Sequence, residues 1–504
     1  MINLSSFLNY HAQRDPDSIA ITYEDRGISY GALWERVRQL ARYIAEQGIS
    51  NGDVVVAFMK NSPAFLELSF ACSYLGAVFL PINYRLATDE VAYIIGNAEA
   101  SLLFGDEEFA DILEIDIPVR ILDGGMQKNI LTLTGREGPI PPQSYVKPDE
   151  LFRLMYTSGT TDRPKGVMHS YQNFYWKCME HVVVLGLSKQ TRLLVTGPLY
   201  HVGAFDLPGI AVLWLGGMLR VHREYDPLEV LSAIEEEKLT GAWLAPVMLS
   251  GILSHPDRGN YDVSSLEWCI GGGEKTPEAR IREFQDFFRN GRYIDAYGLT
   301  ESCSGDTFME LGWEIEKIGS TGRATPHVSI RITDDKGASL TAGEEGEICL
   351  RGPKVAEGYW KDPAKTAETR HGDWFRTGDV GYLDDDGFLY LTDRKKDMII
   401  SGGENIASSE IERVIYQIPG VLEAAVVGVP DPRWGEVPVA VVVLENEETF
   451  SDQEFESYCR EHLAGFKVPK RFFLRDTLPR NPSGKILKRV LRDQIAFCGP
   501  ISRQ

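Results

Sequence analysis

The densest chemistry in the chain lies between Tyr156 and Gly166, Tyr-Thr-Ser-Gly-Thr-Thr-Asp-Arg-Pro-Lys-Gly. Thr157, Ser158, Thr160 and Thr161 bring hydroxyls, while Arg163 and Lys165 bring positive charge. Gly159 and Gly166 permit backbone conformations closed to most residues, so amides can turn toward a ligand. Hydroxyls, amides and cations in one short stretch suit a polyphosphate. The apolar run Leu151–Met155 predicts a strand feeding the stretch, and Tyr171–Val184 a helix after it. The usual P-loop requires Gly-Lys-Ser/Thr in that order. Here Lys165 precedes Gly166 and no hydroxyl residue follows. That order speaks against a P-loop kinase or ATPase; for the stretch alone, a plain Gly/Ser/Thr surface turn is the structural alternative.

Five further stretches carry residues of chemical interest. In Asp295-Ala296-Tyr297-Gly298-Leu299-Thr300-Glu301, the Tyr297 ring beside Gly298 offers adenine a stacking face and Thr300 offers phosphate a hydroxyl. Glu301 supplies a carboxylate oxygen, the ligand Mg²⁺ prefers on a nucleotide; an acidic loop residue balanced by a neighbour is the alternative. Gly271-Gly272-Gly273, leading into Glu274 and Lys275, lets a flat ring approach the backbone. Asp379 follows Thr377-Gly378 and can accept from vicinal ribose hydroxyls, or cap a turn. Pro482 and Gly484 hold a turn that presents Lys485, where a basic tail is the bland reading. His201, between apolar residues and glycines in Pro198–Gly203, fits a packed, hydrogen-bonded histidine.

Taken together these motifs resemble the adenylate-forming superfamily of acyl-CoA synthetases, peptide-synthetase adenylation domains and luciferases, over nearly the whole chain. The resemblance implies ATP, Mg²⁺ and coenzyme A as cofactor and co-substrates. It assigns catalysis to Lys485, Thr300, Glu301 and His201, with Glu301 the metal ligand and His201 lining the carboxylate pocket. It puts Thr157, Ser158, Gly159, Thr160, Thr161 and Lys165 on the phosphates. Gly273, Glu274, Lys275, Asp295, Ala296, Tyr297 and Gly298 fall around the adenine and acyl pocket. Asp379 and Arg394 go to the ribose, and Ser401, Gly402 and Gly403 to the pantetheine channel. Lys396 occupies the pivot of a mobile lid. The chain departs from the family at Asp162, where a neutral residue is common, at Glu274-Lys275, where Ala-Pro is common, and at Ala407-Ser408, which replaces Tyr-Pro and reads as a surface change.

The elements that must carry these groups follow from length and periodicity. A chain of 504 residues exceeds one core. Leu33, Val37, Leu40, Ala41 and Ile44 recur at helical spacing in Tyr30–Gln47, ended by Gly48. Val54–Phe58, Leu102–Gly105 and Val119–Leu122 read as strands and Pro63–Leu75 as a helix. This alternation predicts parallel-rich α/β sheets covered by helices. Trp243–Val247 predicts a strand ending in a bend, and Asp393–Asp397 a charged linker. Beyond it lies a small α+β unit with a helix showing Phe455, Tyr458, Cys459 and Leu463 on one face after a capping box at Ser451–Glu454. The expected domains are residues 1–395 and a C-terminal lid, 396–504.

Composition bounds the partners. A net charge of −21 speaks against nucleic acid. No apolar run reaches the roughly 18 residues of a membrane span. The N-terminus lacks a signal-peptide pattern, and seven scattered cysteines suggest reduced thiols in the cytoplasm. Whether the chain forms a homo-oligomer is left open. The expected activity is AMP-forming ligation of a carboxylic acid to CoA. The acid is expected to be a medium- or long-chain fatty acid; the alternatives are a cinnamate- or ferulate-type aryl acid, or loading of a carrier protein. A luciferase-like oxygenase and a non-catalytic nucleotide-binding regulator are weaker rivals.

Overall fold

A computed structural model describes residues 3–113, 117–122, 138–157, 163–203, 205–273, 276–394, 397–401, 404–431, 433–445, 452–480 and 486–497. Its first sheet has six strands, five of them parallel, with Val54–Phe58 between Ala100–Asp106 and Val78–Pro81. Every residue of Val54–Phe58 is buried, as expected of a parallel strand covered on both faces. One cover is the helix Tyr30–Glu46, whose five apolar positions are all buried and whose N-cap Ser29 accepts the Ala32 amide. The second sheet has nine strands. Its middle places Arg292–Tyr297, Trp268–Gly271, Gly241–Trp243 and Arg192–Val195 side by side and parallel.

Two smaller units follow, the first antiparallel and the second mixed. Gly346–Arg351, Trp374–Leu383 and Leu389–Arg394 form the centre of a five-stranded sheet over Ile332, Ile348, Leu350, Phe375 and Leu389. The last sheet is built on Val421–Asp431 paired with Gly435–Leu444. Helices Ser408–Ile415 and Asp452–His462 cover it, and Phe455, Cys459 and Leu463 lie in one cluster with Ile411 and Val426. The α/β body and smaller α+β C-terminal part are those expected from periodicity. The expected domain limit at 395/396 and Ser451 of the capping box lie outside the described residues. No described helix is long and apolar enough to cross a membrane.

Three local expectations are corrected. The expected strand and helix are present at Leu151–Thr157 and Tyr171–Leu185, but a second strand, Lys165–Ser170, antiparallel to the first, stands between the stretch and the helix. The stretch therefore begins and ends in the two strands of a β-hairpin, with Tyr156 and Thr157 in the first and Lys165 and Gly166 inside the second. Gly166 is required there by packing, since a Cβ would stand 2.9 Å from the Tyr156 ring and 3.3 Å from Trp360. Asp393 and Arg394 continue a strand rather than opening a linker, and Pro246 starts a helix, so the Trp243 strand stops there.

Gly166→Ala is expected to cost about 1–3 kcal/mol by overpacking, because Tyr156 is tethered by its hydroxyl to Asn97 and cannot swing aside. Thermal unfolding checks this; a Tm equal to that of the wild type would contradict it.

Candidate active site

Three of the motif loops leave the carboxyl ends of parallel strands, the edge where open α/β sheets bind ligands. Thr157 ends Leu151–Thr157, Gly272–Gly273 follow Trp268–Gly271, and Gly298–Glu301 follow Arg292–Tyr297. Register places Gly271 opposite Asp295 and Ile270 opposite Trp243, so three motifs share one rim. Thr157 pairs with Lys165 across the hairpin.

Two routes join that hairpin to Thr300 and Glu301, one through His169 and one through the segment carrying Tyr359. His169, on the second hairpin strand, donates from Nε2 to the Thr300 carbonyl at 2.7 Å. Trp360 donates its amide to the Gly166 carbonyl at 2.7 Å, and Val167 bridges Tyr359. The Tyr359 hydroxyl in turn donates to Oε1 of Glu301 at 2.8 Å, and the Ala356 amide to the Glu301 carbonyl at 2.7 Å. Glu301 is thus aimed by a hydroxyl that keeps its proton, since burial and the Glu301 charge push the Tyr359 pKa far up.

The loop carrying these residues is strained. Cys303, Ser304 and Gly305 take φ of 57°, 70° and 68°, and the two non-glycines each cost about 1–2 kcal/mol there. Buried charge holds it. Lys354 donates to the Ser304 carbonyl at 3.1 Å and to that of Gly305, and pairs with Asp306 at 3.1 Å and Glu180 at 3.4 Å. Behind Thr300, Arg153 makes two bonds to Asp206, at 3.0 and 2.6 Å, and contacts Nδ1 of His169 at 2.9 Å; Lys177 pairs with Asp206 at 3.4 Å. Arg153, Asp206, Lys177, Lys354 and His169 are fully buried. Burial and the Arg153 charge lower the His169 pKa to about 3, so the ring is neutral. Burial drives the Asp206 carboxyl up, but Arg153 and Lys177 outweigh it and the net shift is downward.

Asp379 lies in a kinked strand, not at a turn. Cys349 pairs with Arg376 while Glu347 pairs with Val380, so Thr377, Gly378 and Asp379 stand against Ile348 alone. Gly378, at φ 72°, makes the bulge possible. The Tyr297 hydroxyl donates to Oδ2 of Asp379 at 2.8 Å, and Arg394 is its register partner on the next strand. Tyr297 is 7% exposed and packs with the core of the third sheet, so in this conformation it anchors Asp379 and presents little stacking face.

His201 is half-buried and accepts the Gly203 amide on Nδ1 at 3.2 Å. Its loop is pinned by Asn61, which accepts the Leu199 amide and donates to the Gly197 carbonyl. Gly203 is bare because the Trp243 ring fills its side-chain space; Gly271 is bare because the Tyr293 hydroxyl does. The expected close approach of a ring at Gly271 is thus taken by Tyr293, whereas Gly273, at φ 92°, faces open space. Asp295 and Ala296 are buried strand residues. Ser401 pairs with Glu404 and Gly435. Ser408 is no surface position: it is buried, giving its amide and hydroxyl to Asp393 at 2.6 Å and accepting from Lys488. Ser158, Gly159, Thr160, Thr161, Glu274, Lys275, Lys396, Gly402, Gly403 and Lys485 lie outside the described residues.

The AMP-binding enzyme family matches residues 8–360, and the AMP-binding enzyme C-terminal domain matches residues 410–485. The chain belongs to the AMP-binding enzyme family. Its relatives include a feruloyl-CoA synthase of Amycolatopsis, 38% identical over 97% of this chain and 98% of that protein. A long-chain-fatty-acid–CoA ligase of Mycobacterium tuberculosis, FadD13, is 35% identical over 94% and 95% of the two chains. The solved o-succinylbenzoate CoA synthetase of Bacillus subtilis, in complex with ATP and magnesium ion, superposes with a TM-score of 0.86 at 31% identity, over 97% of this chain and 99% of that one. The enzyme class is that of an AMP-forming carboxylate–CoA ligase. In this AMP-binding enzyme no cluster of three or more His, Cys, Asp or Glu side chains converges among the described residues. A metal carried mainly by a nucleotide and touching one carboxylate, Glu301, fits that donor set.

Sequence reading passed over His169, Arg153, Tyr359 and Asn61. A signal for Arg153 was visible: an arginine inside the apolar run Leu-Phe-Arg-Leu-Met must find a buried partner.

Asp379→Ala is expected to weaken ATP binding by about tenfold or more, since a charged hydrogen bond is lost. Tyr297→Phe, which only loosens the carboxylate, should weaken it by about threefold. Calorimetry with ATP reads both; unchanged affinities would remove Asp379 from the site.

Proposed function

We propose that this AMP-binding enzyme activates an aryl or aryl-alkenoic carboxylic acid with Mg²⁺·ATP and passes the acyl group to CoA. The observation that carries the reading is the fastening of the phosphate hairpin to Thr300 and Glu301 through His169 and Tyr359. The acid class is supported from behind Gly298. Its side-chain space is filled by Ser304 and Gly305, and that of Gly305 by His181, Phe308 and Leu207. Lys354, Glu180 and Asp306 lie beyond. An alkyl tail extending that way would strip buried charges of their partners. A fatty acid is the second reading, favoured by the name of the mycobacterial relative.

The obstacle in the first step is electrostatic. A carboxylate about 4 Å from a phosphate charge is repelled by roughly 4 kcal/mol at an effective dielectric near 20. Lys485 offsets this by touching both anions as a mobile point charge. Glu301 would hold Mg²⁺, whose positive charge would stabilise the leaving pyrophosphate. Thr157, Lys165 and the hydroxyls between them hold the outgoing phosphates, while Asp379 and Arg394 hold the ribose. An acid oxygen bonds to the α-phosphorus as the bond to the β-phosphate breaks. No protein nucleophile takes part. In the second step the CoA sulfur attacks the acyl carbonyl and AMP leaves. Lys485 must withdraw first, and a turn at Lys396 brings Ser401, Gly402 and Gly403 to the channel. The cytoplasm is the proposed location, supported by six described cysteines, all free and buried.

Lys485→Ala should abolish acid-dependent pyrophosphate release, while thioester formation from supplied acyl-adenylate stays within about threefold, because the lysine acts only before the lid turns. Equal loss of both half-reactions would overturn the two-step assignment. A kcat/KM for ferulate-type or indole acids above that for C8–C16 fatty acids is expected; the reverse order would give the fatty-acid reading precedence.

A further inference from the structure

The buried cluster behind Thr300 has no place in the adenylation steps above. Its geometry nonetheless specifies one proton. Arg153 has donors only, so its contact at 2.9 Å makes Nδ1 of His169 an acceptor. A neutral imidazole must then carry its proton on Nε2, where it meets the Thr300 carbonyl at 2.7 Å. Arg153 cannot shift, because two bonds fasten it to Asp206, which Lys177 also holds. A buried ion pair is weak evidence for stability. Here it fixes the ring, tautomer and aim of a histidine whose other end touches the residue next to Glu301. Lys354 fastens the opposite end of the same loop at Ser304 and Gly305, so the strained residues between are tied at both sides.

We propose that His169 is a positioning residue of adenylation, holding the Thr300 carbonyl so that the Thr300 hydroxyl and Glu301 carboxylate stay aimed at the triphosphate. The inference rests on the reading of Thr300 and Glu301 as nucleotide-side groups. It separates cleanly from a merely structural role, because the two imidazole nitrogens do different things. Asparagine reproduces Nδ1: His169→Asn keeps an acceptor for Arg153 but cannot reach Thr300. Glutamine reproduces Nε2: His169→Gln keeps a donor for Thr300 but leaves Arg153 short of a partner.

The full-length protein and both variants would be titrated with Mg²⁺ and α,β-methylene-ATP by calorimetry. Acid-dependent pyrophosphate release, thioester formation from supplied acyl-adenylate, and Tm would be measured alongside. His169→Asn should bind the analogue about tenfold more weakly, the loss of one hydrogen bond. It should need more Mg²⁺ for pyrophosphate release, with thioester formation within about twofold and the smaller loss of Tm. His169→Gln should bind within about threefold of wild type despite the larger loss of Tm. The opposite order of affinities, or equal loss in both half-reactions, would overturn the inference. If His169→Asn is insoluble, His169→Gln decides alone, and an affinity more than about tenfold below wild type overturns it. A wild type that neither binds the analogue nor releases pyrophosphate would instead remove the adenylation reading beneath it.

Discussion

A site for a triphosphate must hold several negative charges against a protein interior that disfavours them. In this chain the groups that would do so come from two different sheets, and one hydrogen bond from a neutral imidazole joins them. His169 stands on the hairpin between whose strands the hydroxyls lie, and its acceptor is Thr300, in the turn that follows the strand Arg292–Tyr297 of the nine-stranded sheet. Tyr359 makes the second join from the opposite side, pairing with the hairpin at Val167 and reaching Glu301 with its hydroxyl. Without these links, Lys165 and Glu301 would belong to separately positioned elements.

The charges beneath the site explain why the loop can be strained. Left-handed Cys303 and Ser304 are costly alone, and persist where surroundings over-determine them. Three buried cations and three buried carboxylates, Arg153, Lys177 and Lys354 with Asp206, Glu180 and Asp306, surround the loop. Such a set adds little net stability but tolerates few arrangements. Its rigidity suits groups that must face developing charge without reorganising.

Much of the fold was legible because it rests on periodicity. The stripe of Tyr30–Glu46 and the wholly apolar Val54–Phe58 read as a covering helix and a strand buried on both faces. The candidate site was proposed from motifs, because hydroxyls, glycines and carboxylates crowd into short stretches. What connects the motifs was not. Lys165–Ser170 is a strand because it pairs with Leu151–Thr157, and Lys-Gly-Val-Met-His-Ser alone carries no such signal. Gly166 and Gly271 invited a reading as flexible or ligand-facing backbone, yet each makes room for a tyrosine of the protein itself. Ser408 read as surface because its acceptor, Asp393, lies across residues read as a linker. Long-range partners, not local propensity, decided all four.

The central claim is that one site performs acid-dependent cleavage of ATP between the α- and β-phosphates and then transfers the acyl group to a thiol. The direct measurement is the product balance of the purified protein with ATP, Mg²⁺ and a panel of aryl and fatty acids, with and without CoA. The account predicts AMP and pyrophosphate in equal amounts, only with acid present, at a rate raised by CoA and matched by acyl-CoA. ADP and phosphate as products, or no pyrophosphate with any acid, would contradict it.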